Sequence, residues 1–515
     1  MCIRDSSNSN SNNSSDIVNM ISSLLKQSKR ISLLIKNDIH HIAIVGSGPS
    51  AFYTAKYLID NDKKREIKID IYEKLPTPFG LVRNGVAPDH QDVKVVTNTF
   101  TELFQRYSKS LRYYGNIHIL GENEQIDSIS SMNLLQLDHL RSVYSGVILA
   151  CGASSDVSLN IPGNNGTGIF SARSFVNWYN GHPDYVDIGT KIDLSKVENV
   201  VIIGQGNVAI DCARILGKAY DELLETDIAN HALDQLSNSK IKRISIIGRR
   251  GHVQSSFTIK EIRELSRLNN ANFSISKNEI DEGMTESSKI EMENNRPKTR
   301  IVELLNTIAT KKNTNINAKR NIDLRYLLNP KEYILDESGH VKKIIVERTK
   351  LVGASGHQKA IGTGITEEIP CELVLVSVGY KSTPILNAPF DYNKNIVPNI
   401  AGRVYNPKLN NDIENGLYVV GWMKRGPTGI IGTNITDAKE TASSILEDIE
   451  LNKLDEINNN DDPSARIMIP TESTISWNDY ENIDKKELER GQKHSPMKIR
   501  DKIVNITDLV EIAKT

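Results

Sequence analysis

Ile42-Ala43-Ile44-Val45-Gly46-Ser47-Gly48-Pro49-Ser50-Ala51 is the stretch whose reading decides the fold. It is repeated in kind further along the chain by Val200-Val201-Ile202-Ile203-Gly204-Gln205-Gly206-Asn207-Val208-Ala209. Each begins with an unbroken apolar run, the pattern of a parallel strand buried on both faces. Each continues as Gly-x-Gly-x-x-Ala. The first glycine permits a tight turn, the second lets backbone approach a pyrophosphate, and the small third residue allows close packing of helix on strand. The helix that follows, over residues 51–60 in the first case, points orphan N–H groups at the phosphates. One such loop binds one dinucleotide. Two in one chain predict two dinucleotides held face to face, a layout for passing electrons between them.

The next strand of each unit predicts which dinucleotide is bound. Ile67-Lys68-Ile69-Asp70-Ile71-Tyr72 ends in Glu73, 25 residues past Gly48, near the usual offset of about 20. A carboxylate there accepts hydrogen bonds from ribose hydroxyls and repels a 2′-phosphate, so the first site suits FAD or NAD. Ile244-Ser245-Ile246-Ile247-Gly248 ends instead in Arg249-Arg250. Two guanidiniums suit a 2′-phosphate through charge-assisted bonds, so the second site suits NADP. Arg249 lies 43 residues past Gly206, which makes residues 219–242 an inserted helical excursion.

The chain has 515 residues, enough for about three to four domains by length alone. With 63 Lys and Arg against 64 Asp and Glu the net charge is −1, so no global field draws nucleic acid and charge-guided partners must be sought locally. Cys2, Cys151, Cys212 and Cys371 form no Cys-x-x-Cys pair. That spacing argues against a disulfide scaffold, a structural zinc, a protein-held iron–sulfur cluster or a redox dithiol, and suits a reducing compartment. No metal site is expected. No apolar run reaches the ~20 residues of a membrane span. Residues 1–19 are rich in Ser and Asn; residues 20–36 are basic, hydroxylated and free of acids. Residues 1–38 therefore read as a targeting or disordered segment with the traits of a mitochondrial transit peptide.

Longer strings carry a resemblance. Glu73-Lys74-Leu75-Pro76-Thr77-Pro78-Phe79-Gly80-Leu81-Val82-Arg83, Gly85-Val86-Ala87-Pro88-Asp89-His90 and Gly204-Gln205-Gly206-Asn207-Val208-Ala209-Ile210-Asp211 resemble the adrenodoxin reductase family, the mitochondrial NADPH:ferredoxin reductases. So do Gly248-Arg249-Arg250-Gly251, Phe257-Thr258-Ile259-Lys260-Glu261 and Gly421-Trp422-Met423-Lys424-Arg425-Gly426-Pro427-Thr428-Gly429. The resemblance runs from about His41 into the C-terminal tail. It implies FAD in the first site and NADPH in the second, as the strand ends do. It implies FAD contacts from Gly46, Gly48, Ser50, Glu73, Leu81, Ile119, Trp422, Gly429, Ile430 and Ile431. It implies NADP contacts from Gln205, Gly206, Asn207, Val208, Arg249, Arg250, Glu261 and Gly429. The family's first loop usually continues Pro-Ala-Gly; here it is Pro49-Ser50-Ala51. Trp422 stands where many two-dinucleotide flavoproteins place an acid, and its ring either walls the flavin or fills core.

The implied activity is hydride transfer from NADPH and single-electron delivery to an acidic [2Fe–2S] ferredoxin. It is implied in a matrix enzyme or one at the matrix face, likewise a monomer, with peripheral association with the inner mitochondrial membrane left open. His90 and Asp211 match family positions near the flavin; they either conduct protons or fix local structure. Arg296-Pro297-Lys298-Thr299-Arg300, preceding an amphipathic helix over 301–309, is the candidate docking patch for the ferredoxin, with Lys311-Lys312 and Lys319-Arg320 as extensions; the alternative is a solvated charge run. The expected fold class is α/β, two Rossmann-like dinucleotide-binding domains with the NADP domain inserted into a discontinuous FAD domain. The boundaries read as 39–152 and 376–515 for the FAD part and 153–375 for the NADP part. Residues 342–352 read as an antiparallel strand, and 269–295 and 452–465 as surface excursions. Other readings are a different NADPH-dependent flavoprotein, such as a glutamate synthase input subunit, and a nucleotide-binding redox sensor without catalysis.

Overall fold

The computed structural model describes residues 39–63, 67–124, 133–293, 295–310, 315–455 and 462–515. The targeting segment, Cys2 and Lys311-Lys312 lie outside the described residues.

Two separate sheets carry the two loops. The first has seven strands in the order Asn399–Ile400, Arg403–Asn406, Asp412–Val419, Gly146–Leu149, His40–Val45, Ile67–Tyr72, Leu111–Tyr114. The last five run parallel, and the 399–419 end is an antiparallel edge. The second has six strands, Ala271–Ile275, Arg320–Arg325, Arg243–Ile247, Asn199–Ile203, Leu373–Val376 and Ile169–Ser171, every pair parallel. The first sheet thus draws strands from both ends of the chain, whereas the second is made wholly from the middle. The fold is two Rossmann-like units, one inserted in the other.

Apolar runs explain this arrangement. His40–Val45 is buried at every position, with one core cluster on each face of its sheet. The helix that leaves the first loop spans Pro49–Asn61, longer than the expected 51–60, because proline is favoured in the first helical turn. Ala51, Ala55 and Leu58 on it share a core with Ala438, Ala442 and Ile445 of the helix Thr433–Glu450; the small residues let the two helices approach closely.

Chain passes between the units twice, and the two passages lie side by side. Ser155–Asp156 pairs antiparallel with Tyr380–Lys381. A third sheet, Leu328–Leu335, Val341–Val352 and Lys359–Pro370, is antiparallel and closes one face of the six-stranded sheet through Val201, Ile247, Ile344 and Val374.

Residues 269–295 are not the surface excursion that polarity suggested. They contain the strand Ala271–Ile275 and the helices Lys277–Gly283 and Glu286–Glu293. An edge strand needs apolar residues only where it faces the core, and here Ala271 and Ile275 supply them. The basic cluster also sits differently. The helix begins at Arg296 and runs to Thr310, so Arg296 and Arg300 lie on its first turns rather than before it.

The C-terminal tail fastens both units. Its helix Trp477–His494 starts in a capping box of Ser476 and Asp479, and Trp477 stacks on Phe104 at 3.8 Å. Glu487 is fully buried and pairs with Arg83 at 2.5 Å and Arg500 at 3.1 Å. Beyond it Lys502 reaches Asp227 of the inserted unit at 3.0 Å. Lys94 of the first unit meets the same carboxylate at 2.7 Å. Lys498 donates to the Ile228 carbonyl at 2.8 Å.

Candidate functional site: two nucleotide cradles and the acid–base cluster between them

Both loops are built alike. The Gly46 amide donates to the Tyr72 carbonyl at 2.7 Å, and the Gly204 amide to the Ile247 carbonyl at 2.9 Å. Gly46 has φ +103°, and a Cβ there would lie 2.6 Å from the Ala150 carbonyl oxygen. Gly204 has φ +135°, with the Ser377 carbonyl 2.1 Å from such a Cβ. Nothing lies within 4 Å of where a Gly48 Cβ would be, which leaves the room a pyrophosphate needs.

The first cradle opens into a cavity of about 340 Å³. Gly46, Gly48, Ser50, Glu73, Leu81, Ile119 and Trp422 all line it. Glu73 accepts from the Ser47 amide at 2.9 Å, the Ser47 hydroxyl at 2.6 Å and the Leu75 amide at 3.1 Å. These donors fix the carboxylate at the end of its strand. Gly421 lies close against Ser50: a Cβ at Gly421 would be 2.6 Å from Ser50 Oγ. Trp422 packs against Tyr380 with ring centroids 5.8 Å apart, so it forms a wall of the cavity. Gly429, Ile430 and Ile431 do not line it. They form the turn before Thr433–Glu450, with Ile430 exposed, while Asn434 of that helix does line the cavity. Cys151 also lines it and is exposed to it. Cys151, Cys212 and Cys371 are all free, so the described cysteines form no disulfide.

In the second cradle, strand register shows a detail that sequence reading missed. Val45 pairs with Tyr72, and Ile203 with Ile247. The position matching Glu73 is therefore Gly248, not Arg249. The acid is deleted, and the space a side chain would fill there is taken by the Gln205 amide, 2.1 Å from an ideal Gly248 Cβ. Gln205 is held by its bond to the Arg325 carbonyl at 3.0 Å. Asn207 Oδ1 accepts from the Thr258 amide at 2.8 Å, joining the loop to the helix Ile259–Leu265 that bears Glu261. Val208 starts the helix Asn207–Gly217 beside Gly206. Arg249 and Arg250 are exposed, and among the described residues neither guanidinium is engaged.

His90 and Asp211, distant in sequence, come together. Ligand atoms of His90, Asp211 and Glu261 lie within 4.8 Å of one another. Arg214, 1% exposed, sits among them in ion pairs with Asp89 at 2.7 Å, Asp211 at 2.8 Å and Glu261 at 2.9 Å. His90 Nε2 bonds Glu264 at 2.6 Å. A guanidinium inside this group of acids supplies the positive charge a metal would bring, so the cluster reads as a proton and ion-pair network. Burial, with help from Glu261 and Asp89 and against Arg214 and His90, raises the Asp211 carboxyl to about 6. Burial would raise Asp89 too, but hydrogen bonds and charge from Arg214 hold it well below the carboxylate range.

Arg296 and Arg300 are exposed and, among the described residues, unpaired, while Lys298 between them is tied to Glu291. Of the proposed extensions, Arg320 is largely buried: it is 9% exposed and donates to the Lys218 carbonyl at 2.8 Å.

Comparison with known proteins agrees with this geometry. The pyridine nucleotide-disulphide oxidoreductase family model matches residues 40–421. The chain is 40% identical over 482 residues to the mitochondrial NADPH:adrenodoxin oxidoreductase of Arabidopsis thaliana, covering 92% of this chain and 95% of that one. It is 37% identical to the protein of the same description from Homo sapiens, covering 92% and 91%. Among solved structures it resembles Mycobacterium tuberculosis FprA in complex with NADPH at TM-score 0.79 and 35% identity, over 93% of this chain and all of that one.

Proposed function

The chain belongs to the NADPH:adrenodoxin oxidoreductase family within the pyridine nucleotide-disulphide oxidoreductases, and on that premise we propose that it takes hydride from NADPH and passes single electrons to a [2Fe–2S] ferredoxin, with FAD as its resident cofactor. The observation that carries this reading is the asymmetry of two otherwise matched cradles: a fixed carboxylate at Glu73 in one, and a deleted acid followed by two free guanidiniums in the other. Bound FAD supplies the conversion between a two-electron hydride and one-electron transfers.

The protein's own groups do the rest. The Gly46–Ala51 turn and its helix N-terminus receive the FAD pyrophosphate, Glu73 the ribose hydroxyls, and Trp422 with Tyr380 bounds the cavity. Gln205, Gly206, Asn207 and Val208 present backbone to the NADPH pyrophosphate, and Arg249 with Arg250 takes its 2′-phosphate. Gly429–Ile431, on the turn before Thr433–Glu450, is the remaining segment assigned to nucleotide contact. His90 and Asp211 hold and move the protons that accompany reduction and reoxidation, and Glu264, partly exposed and bonded to His90, exchanges them with solvent. We take the FAD part as 39–152 with 376–515 and the NADP part as 153–375; the paired crossover strands lie slightly further along, at Ser155–Asp156 and Tyr380–Lys381.

The acidic ferredoxin docks on the face that carries Arg296 and Arg300, where charge raises the association rate. The enzyme acts as a monomer in the mitochondrion, on the matrix side. The acid-free basic composition of residues 20–36 and the mitochondrial relatives support that location. No helix among the described residues is long and apolar enough to cross a membrane.

The purified protein should be yellow, bleach with NADPH far faster than with NADH, and reduce an added [2Fe–2S] ferredoxin. A protein that bleaches but leaves ferredoxin oxidised would point to another acceptor, and a colourless one to a binding module.

A further inference from the structure

The cavity that takes FAD is not walled by its own unit alone. Arg173, Val176, Asn177, His182, Asp184 and Tyr185 of the inserted unit line it too. These residues come from the helix Ala172–Tyr179 and the turn that follows it. The wall they form is braced. Arg173 pairs with Asp156 on the first crossover at 3.1 Å, and its guanidinium lies over the Tyr185 ring at 5.4 Å. Asp184 is set by its backbone, whose amide donates to His182 Nδ1 at 3.2 Å.

At one point on the rim the two units are joined by an ion pair. Lys74 Nζ meets Asp184 Oδ2 at 2.9 Å. Lys74 directly follows Glu73, the carboxylate that marks the ribose end of the cavity. The His118–Glu124 pair lies at the same end, and both residues line the cavity. The charged groups facing the clasp from every side are therefore Glu73, His118, Glu124, His182 and Arg173. Lys74 and Asp184 are 41% and 32% exposed, which places them at the mouth and not in the floor.

We propose that the inserted unit closes the FAD cavity and that Lys74–Asp184 is a clasp at its ribose end, so that bound FAD leaves only when the two units part there. The proposal rests on the assignment of FAD to the first cradle. Lys74 and Asp184 are positioning residues: they need not touch the cofactor to retain it. A half-exposed pair contributes modestly when intact, but like charges in its place repel, so reversal is the sensitive probe.

The test is the rate of FAD release from the holoenzyme, read as the rise of free-flavin fluorescence after dilution. Lys74→Asp and Asp184→Lys should each speed release by about fivefold or more, by loss of attraction and gain of repulsion. The double exchange, Lys74→Asp with Asp184→Lys, restores opposite charges and should return release to within about twofold of the parent. Single reversals that leave release unchanged, or a double exchange as leaky as the singles, would overturn the clasp while leaving FAD in place. A parent protein that carries no flavin would overturn the cofactor assignment itself. Lys74→Met with Asp184→Asn guards against folding failure: it carries neither charge nor repulsion, and its release should lie between parent and single reversals.

Discussion

Gly248 and Glu73 occupy equivalent places at the ends of their strands, and the contrast sets nucleotide choice. Because Arg249 and Arg250 are unengaged, they can turn to a 2′-phosphate without breaking bonds. Replacing both by alanine should raise KM for NADPH by about tenfold to a hundredfold, the value of one or two charge-assisted bonds, and leave NADH kinetics nearly unchanged; steady-state assays with both nucleotides decide it. Asp211 offers a second test. As a proton acceptor it works only when ionised, and its carboxyl sits at about 6. The step it serves should therefore slow as pH falls through about 6, and Asp211→Asn should flatten that limb in stopped-flow flavin reduction. The stability sign is opposite. A carboxyl raised from 3.8 to about 6 in the folded state destabilises above about 6 and ceases to do so as pH drops toward 3.8. A profile that keeps its inflection in Asp211→Asn would remove Asp211 from the relay. Glu73 was legible in the sequence because it lies a fixed distance past its loop. Arg214 was not, since its partner Asp89 is 125 residues away and nothing local marks either as half of a pair.

At the scale of elements, the two glycine turns are the least forgiving parts. Gly204→Ala would drive a Cβ against the Ser377 carbonyl in a backbone conformation that L residues rarely adopt. It should cost at least about 2 kcal/mol, visible as a lower urea midpoint. The helix Arg296–Thr310 behaves in the other direction. Its first turns carry Arg296 and Arg300, where the helix dipole disfavours cations. Reversing both to Glu should stabilise the helix by a few tenths of a kcal/mol while slowing ferredoxin reduction about tenfold or more at low salt. NADPH-to-dye activity should be spared; equal loss of both activities would move the docking site elsewhere. Such a result could not be blamed on unfolding. Strands and loops were legible here because buried parallel strands are apolar throughout. The edge strand Ala271–Ile275 was not, because it shows the core only two buried residues.

Across the whole molecule, the tail does what no motif announced. Lys94, Asp227 and Lys502 come from the first unit, the inserted unit and the tail, and they meet around one buried carboxylate. Asp227→Asn leaves two lysines buried without a counter-charge, and should destabilise the protein by about 3–5 kcal/mol, measured by thermal unfolding of the holoenzyme. A change under about 1 kcal/mol would show that the tail is held by its apolar contacts alone. The two-unit plan was readable from the paired loops, but the fastening was not, since it depends on three segments that only folding brings together.

The pairing of Ser155–Asp156 with Tyr380–Lys381 has an architectural corollary. The inserted unit is entered and left by the chain shoulder to shoulder, through a single doorway. Its two ends are neighbours, so a short turn joining residue 154 to residue 382 would close the outer sheet without it. The outer unit is thus interrupted at one place only, and its own strands do not depend on the path taken by the inserted residues between.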